Sequence, residues 1–239
     1  MSIWVYANPA RFMQASARVL PWVWAGTALC LGVGLAWGFF LTPDDFRQGS
    51  TVKILYVHVP SAMMAINAWI MMLVASLIWL VRRHHVSALA ARAAAPVGLT
   101  FTLVALAIWG QPMWGTWWAW DPRLTSFLIL TLFYLGYIAL WEAVENPDTA
   151  ADLTAVLCLV GSVFALLSRY AVLFWNQGLH QGASLSLDRE ENVADVFWVP
   201  LVVTIAGFVL LFVALVLART RTEIRARRLQ ALVLRERAG

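Results

Sequence analysis

The sequence predicts an all-α integral membrane protein with six transmembrane helices and both termini on the cytoplasmic side. Three observations lead there. Hydrophobic residues make up 62% of the chain and charged residues only 13%, about half of the roughly 25% charge usual in soluble domains. Six stretches reach the length of about 20 apolar residues that a helix needs to cross the hydrocarbon. Lys and Arg are distributed unequally between the two sides those stretches define.

Taken in order, the predicted spans are Pro21–Leu41, Pro60–Leu80, Ala93–Gln111, Leu124–Val144, Leu153–Trp175 and Val196–Ala218. They form a single membrane domain over 1–239, with residues 219–239 as a basic cytoplasmic tail. The first span is too long and uninterrupted for the apolar core of a signal peptide, so it is expected to be retained. With both termini inside, the inner side holds Arg11, Arg18, Arg82, Arg83, Arg92 and the seven arginines from Arg219 to Arg237. The outer side holds only Arg47, Lys53, Arg123 and Arg189. The net charge of +4 therefore reflects topology rather than binding to nucleic acid. The tail, with Leu229, Leu232, Val233 and Leu234 among its arginines, reads as a solvated helix that anchors orientation. Its alternative is a helix lying on anionic lipid.

The outer connections are Thr42–Val59, Pro112–Arg123 and Asn176–Asp195; the inner ones are Val81–Arg92 and Glu145–Asp152. The inner pair His84 and His85 reads as part of a solvated loop. Inside the spans chemistry is scarce. Arg169 alone is charged well within one, and it reads equally as a snorkelling side chain and as an intramembrane functional group. A permease for polar solutes needs several ionisable groups or broken helices near the midplane, so that class is disfavoured. Cys30 and Cys158 form neither CxxC nor CxxCH, which excludes a thioredoxin-like site and c-type haem attachment to this chain.

The chemistry gathers in the second outer connection, Trp114-Gly115-Thr116-Trp117-Trp118-Ala119-Trp120-Asp121-Pro122-Arg123. It carries four of the fourteen tryptophans. An aromatic belt at the headgroup level accounts for Trp22, Trp24, Trp37, Trp79, Trp141 and Trp198 at span ends. A dense cluster followed by Asp-Pro-Arg is better read as a ligand platform. In a helical arrangement Trp114, Trp117, Trp118 and Asp121 would share one face. Rigid rings with a few polar groups suit a flat apolar ligand, and Arg123 suits a ligand carboxylate. His58 and His180 are the only outer histidines. His58 stands just ahead of Pro60, a first-turn residue by its type, and so at a helix entrance. His180 lies between Gly178 and Gly182 in a loop. Two neutral imidazoles on one side suit a shared iron centre, with two unrelated interfacial histidines as the alternative.

Three segments together resemble the heme exporter protein C family of cytochrome c maturation. They are Tyr56-Val57-His58-Val59-Pro60-Ser61-Ala62, the tryptophan-rich stretch Trp114–Thr125, and Trp175-Asn176 with Leu179-His180-Gln181-Gly182. Their order, spacing and six-span outline agree over nearly the whole chain. The resemblance implies haem b held non-covalently on the periplasmic face of a bacterial inner membrane, with His58 and His180 as axial ligands to the iron. It implies that Trp114, Trp117, Trp118, Trp120 and Asp121 form the platform and that Arg123 sits near a propionate. It also implies partners: a membrane-tethered haem chaperone (CcmE) that takes the haem, the ATPase and permease subunits of an ABC transporter (CcmA and CcmB), and a small accessory subunit (CcmD). In agreement, the chain has no GxxxxGK phosphate loop, so nucleotide chemistry falls to a partner. No nucleophile or acid–base pair stands out, which favours binding and transfer over catalysis. The apolar spans offer no polar route, which favours binding at the outer face over passage through the chain. A scaffold subunit that binds no haem is the competing class.

Overall fold

The computed structural model describes residues 3–174 and 193–238. A short 3-10 turn, Ile3–Ala7, precedes α1 (Pro9–Ala36), which runs on through a π-turn over Trp37–Leu41. A 3-10 turn over Ser50–Ile54 leads into α2 (Leu55–Arg82). There follow α3 (His85–Trp114), α4 (Pro122–Ala143), α5 (Pro147–Phe174) and α6 (Asp195–Ala238). All six helices are long and apolar enough to cross a bilayer. Among the described residues there is no strand, only an isolated bridge between Asp45 and Gly49. The chain is a multi-pass membrane protein, as its composition predicts.

Helix ends fall where caps are, not where apolar composition stops. Three helices open on an Asx-Pro pair: Asn8-Pro9, Asp121-Pro122 and Asn146-Pro147. In each, the side chain accepts a backbone N–H of the first turn, from Ala10 at 2.9 Å, from Arg123 at 2.8 Å and from Asp148 at 2.9 Å. Proline fits the first helical position because its missing N–H would have no partner there. The connection predicted over Val81–Arg92 shrinks to two residues, Arg83 and His84. Arg83 takes a left-handed conformation, φ 51°, and gives its N–H to the Trp79 carbonyl at 2.8 Å, which closes α2. His84 opens α3 by accepting the Ser87 N–H on Nδ1 at 3.0 Å.

The helices alternate in direction, so both chain ends lie at one end of the bundle. Phe12 and Met13 of α1 pack there with Val86 and Leu89 of α3 and Ile224 of α6. Charged groups tie the same end together. Arg83 pairs with Asp152, Arg92 with Glu142 (2.9 Å) and Glu223 (3.3 Å), and Arg227 with Asp148 (2.9 Å). Arg221 donates to the Met13 carbonyl at 2.6 Å and to Ser16 Oγ at 2.8 Å. The predicted tail does not separate from the last span: α6 continues unbroken to Ala238, about 66 Å at 1.5 Å per residue. Leu229, Leu232 and Leu234 on it are exposed.

The core lies between α2, α3, α4 and α5, around the fully buried Trp69, Met72, Leu130, Tyr134 and Cys158. The polar tips of its two central rings have partners, as a dry interior demands. Trp69 Nε1 donates to the Cys158 carbonyl and to Ser162 Oγ, both at 3.2 Å, and Tyr134 donates its hydroxyl to the Ala65 carbonyl at 2.7 Å. Gly161 and Gly98 seat these two rings with no room for a Cβ.

By contrast α1 is peripheral. Only 11% of its membrane window is buried, against 33–50% for the others, and it packs chiefly on α6. That seam is a close backbone crossing made by two glycines. A Cβ on Gly34 would lie 2.5 Å from Thr204 Oγ1 and 2.8 Å from the Thr204 nitrogen; one on Gly207 would lie 2.9 Å from the Leu31 nitrogen. Small residues drive helix association in lipid because they bring backbones into van der Waals contact. Gly34→Leu or Gly207→Leu therefore destabilises the fold by about 1–3 kcal/mol through overpacking, read as a lowered unfolding midpoint in detergent. Gly32→Ala, where a Cβ meets nothing within 4 Å, leaves the midpoint unchanged or raises it.

Candidate functional site

At the end of the bundle opposite the termini, α3 gives way to the tryptophan-rich connection. Trp114 is the last residue of α3 and is half-buried. Gly115 ends the helix in a left-handed conformation, φ 71°, its N–H bonded to the Gln111 carbonyl at 3.1 Å. A side chain would be strained at that φ, so glycine fixes the stop. The helical stripe expected for Trp114, Trp117, Trp118 and Asp121 is therefore absent, because the chain from Thr116 to Asp121 is not helical.

What replaces it is a short, braced loop. The Thr116 hydroxyl donates to the Trp118 carbonyl at 3.0 Å. Trp118, half-buried, stands edge-on to Trp120, with ring centroids 5.5 Å apart and planes at 88°. Trp117 and Trp120 turn outward, 71% and 79% exposed. The loop folds back on α3: a Cβ on Gly110 would lie 2.9 Å from the Thr116 carbonyl oxygen and 3.5 Å from that of Trp117. Gly110 is thus the seat of the loop.

Asp121 is placed differently from the expected ligand-facing stripe. It is only 3% exposed, and its carboxylate accepts the N–H groups of Arg123 (2.8 Å) and Leu124 (3.3 Å), as the N-cap of α4. Those donors would otherwise be orphaned at the start of the helix. Arg123 follows in the first turn of α4, half-buried.

His58 lies within the opening of α2, which begins at Leu55, five residues before Pro60 rather than at it. The imidazole is half-buried, and its ring centroid is 5.0 Å from that of Trp109, the planes tilted by 35°. Trp109 precedes Gly110 on α3, so the histidine and the seat of the loop are joined through consecutive residues. Trp109 also packs with a cluster built from Val52, Leu55 and Tyr56 before and within α2 and from Val193, Phe197 and Leu201 before and within α6. His180 lies outside the described residues, in the connection that rejoins the described chain at Val193. Arg189 lies there too. Among the described residues no group of three or more His, Cys, Asp or Glu could hold a bare metal ion.

The site thus brings together His58, the tryptophan loop and Arg123 at one end of the bundle, and it adds Trp109 and Gly110, which the sequence did not single out. Their signal was weak: both sit inside an apolar span, and nothing local pairs Trp109 with a histidine in another helix.

A family model described as heme exporter protein C matches residues 2–235. The chain belongs to that family. Heme exporter protein C of Rhodobacter capsulatus is 74% identical over 240 residues, covering 99% of each chain. That of Paracoccus denitrificans is 73% identical over 239 residues, again covering 99% of each. That of Escherichia coli is 40% identical over 221 residues, 91% of this chain and 89% of the relative. The match takes in the whole of the site, from the opening of α2 through the tryptophan loop to α6. The capping role of Asp121 has its own signature in stability. Asp121→Ala lowers stability by about 1 kcal/mol, whereas Asp121→Asn, an equally good cap, retains it; thermal unfolding in detergent measures both.

Proposed function

We propose that this protein binds haem at the tryptophan end of the bundle, on the periplasmic face of a bacterial inner membrane, and passes it to a membrane-tethered haem chaperone for cytochrome c maturation. The observation that carries this reading is a half-buried imidazole and outward-facing indoles at the same end of the bundle. Family membership supports haem as the cargo. The excess of arginine at the end holding both termini supports a cytoplasmic location for that end, and so a periplasmic one for the site.

The residues fit a flat, largely apolar ring with two carboxylates. Trp117 and Trp120 are 71% and 79% exposed, at a level where apolar surface is cheap to hold. Trp118 braces Trp120 by its edge, and Trp114 ends the helix that carries the loop. Arg123, held in the first turn of α4, offers a planar fork to a propionate. His58 supplies one axial nitrogen and His180 the other. Asp121 serves the site by fixing where the loop ends and α4 begins. Haem exchange suits such an open arrangement, because a cargo meant for another protein is held on a surface rather than enclosed. The ABC-transporter subunits and the small accessory subunit implied by the family resemblance supply the nucleotide chemistry.

The absorption spectrum of the purified protein, expressed with ample haem, tests this. A low-spin, six-coordinate spectrum is expected, lost or altered in both His58→Ala and His180→Ala. Trp117→Ala and Trp120→Ala each weaken haem retention by roughly 1 kcal/mol, about fivefold, without lowering the unfolding midpoint, since both rings are exposed. A haem-free wild type, or identical spectra in all variants, returns the protein to a scaffold role.

A further inference from the structure

We propose that Trp109 and Gly110, consecutive residues of α3, are the positioning element of this site: the Trp109 indole fixes the plane of the His58 imidazole, and Gly110 fixes where the tryptophan loop lies relative to it. For its ligand the inference rests on the haem reading; its geometry does not.

The argument starts from what an axial histidine needs. An imidazole at a helix opening turns about two side-chain bonds, and each orientation presents its ring nitrogen differently. Partners that hold a ligating histidine in one orientation are typically worth 10–100-fold in metal affinity. The usual partner is a hydrogen-bond acceptor on the second ring nitrogen. A neighbouring ring can orient the histidine as well: Trp109 lies 5.0 Å from His58, tilted by 35°, a contact that restricts rotation of both. Trp109 itself packs against the buried cluster that includes Tyr56 of α2 and Phe197 and Leu201 of α6. The constraint on His58 therefore comes from three helices, not one.

The next residue controls the other half of the site. Gly110 is buried, and the Thr116 carbonyl occupies the place its side chain would take, with the Trp117 carbonyl in contact beside it. Moving those carbonyls moves the exposed Trp117 ring with them. Since residues 109 and 110 point to different faces of one helical turn, α3 acts as a rigid jig: iron ligand on one face, platform on the next. A helix sets such a spacing more tightly than a loop would, because its backbone bonds are all internal.

The two residues have separable effects, and the experiment uses Trp109→Phe, Trp109→Leu and Gly110→Ala beside His58→Ala. In the protein without haem, labelled at histidine, the His58 ring resonances carry a ring-current shift. Trp109→Leu, which stays apolar but removes the ring, abolishes that shift, and Trp109→Phe retains it. In the haem-loaded protein, Trp109→Leu changes the low-spin electron paramagnetic resonance signature and weakens haem binding about tenfold, and Trp109→Phe restores both. Gly110→Ala weakens binding while leaving that signature unchanged. If Trp109→Leu matches the wild type in both readouts while His58→Ala loses the low-spin signature, the positioning role is overturned and the haem reading stands. If His58→Ala itself leaves the signature unchanged, the haem reading falls and takes this assignment with it.

Discussion

Every backbone N–H and C=O within the hydrocarbon must be bonded inside its own helix, since lipid offers no replacement partner. The rest of the structure depends on that rule, because it confines irregular backbone to the two ends of the bundle. The places where helices may stop then become the only places where chemistry can be built. The chain marks those stops with a small vocabulary: Asn8-Pro9, Asp121-Pro122 and Asn146-Pro147 to begin, Arg83 and Gly115 in left-handed conformations to end. At the terminal end the stops are tight, and ion pairs between neighbouring helices close the surface. At the opposite end α3 stops at Gly115 while α4 waits until Pro122, and the interval between them is what the tryptophans occupy.

The site grows from that interval rather than being added to it. Asp121 caps α4 and Gly115 terminates α3, so the loop is held at both ends by ordinary helix-terminating chemistry. With its ends fixed and its middle folded onto Gly110, Trp117 and Trp120 have little choice but to face outward. Asp121 thus matters to the tryptophans without facing the same way. The histidine is placed by a different route, through Trp109, and the two routes meet on a single turn of α3.

Much of this was legible in the sequence, and the remainder was not for definable reasons. Composition and length sufficed for six spans, because the cost of polar groups in lipid leaves a coarse, unambiguous signature. The connection over Val81–Arg92 was read as longer than it is, because the caps at Arg83 and His84 extend the helices past the apolar stretches. The helical stripe failed on one residue, Gly115, whose left-handed conformation outweighs the three-and-four spacing of the tryptophans. Asp121 was read as part of the platform, and its place as the cap of α4 follows from Asp before Pro, which is equally the signature of a helix start. His58 and Trp109 were separately visible as residues; their contact is a property of packing between α2 and α3, which no local pattern encodes. His180 lies outside the described residues, so its pairing with His58 stays a proposal.

The glycine seam between α1 and α6 has a consequence for how the protein is made. Synthesis proceeds from the N-terminus, so α1 is the first helix to enter the membrane and α6, the helix it packs on, is the last. Until then α1 is a lone span with most of its surface facing lipid, kept in place by its own hydrophobicity. Arg221 of α6, which reaches Met13 and Ser16, arrives later still. Ring closure is thereby deferred to the end of translation. A chain cut short before its final span would leave the first helix inserted but undocked, an open clasp that quality-control proteases could distinguish from a finished molecule.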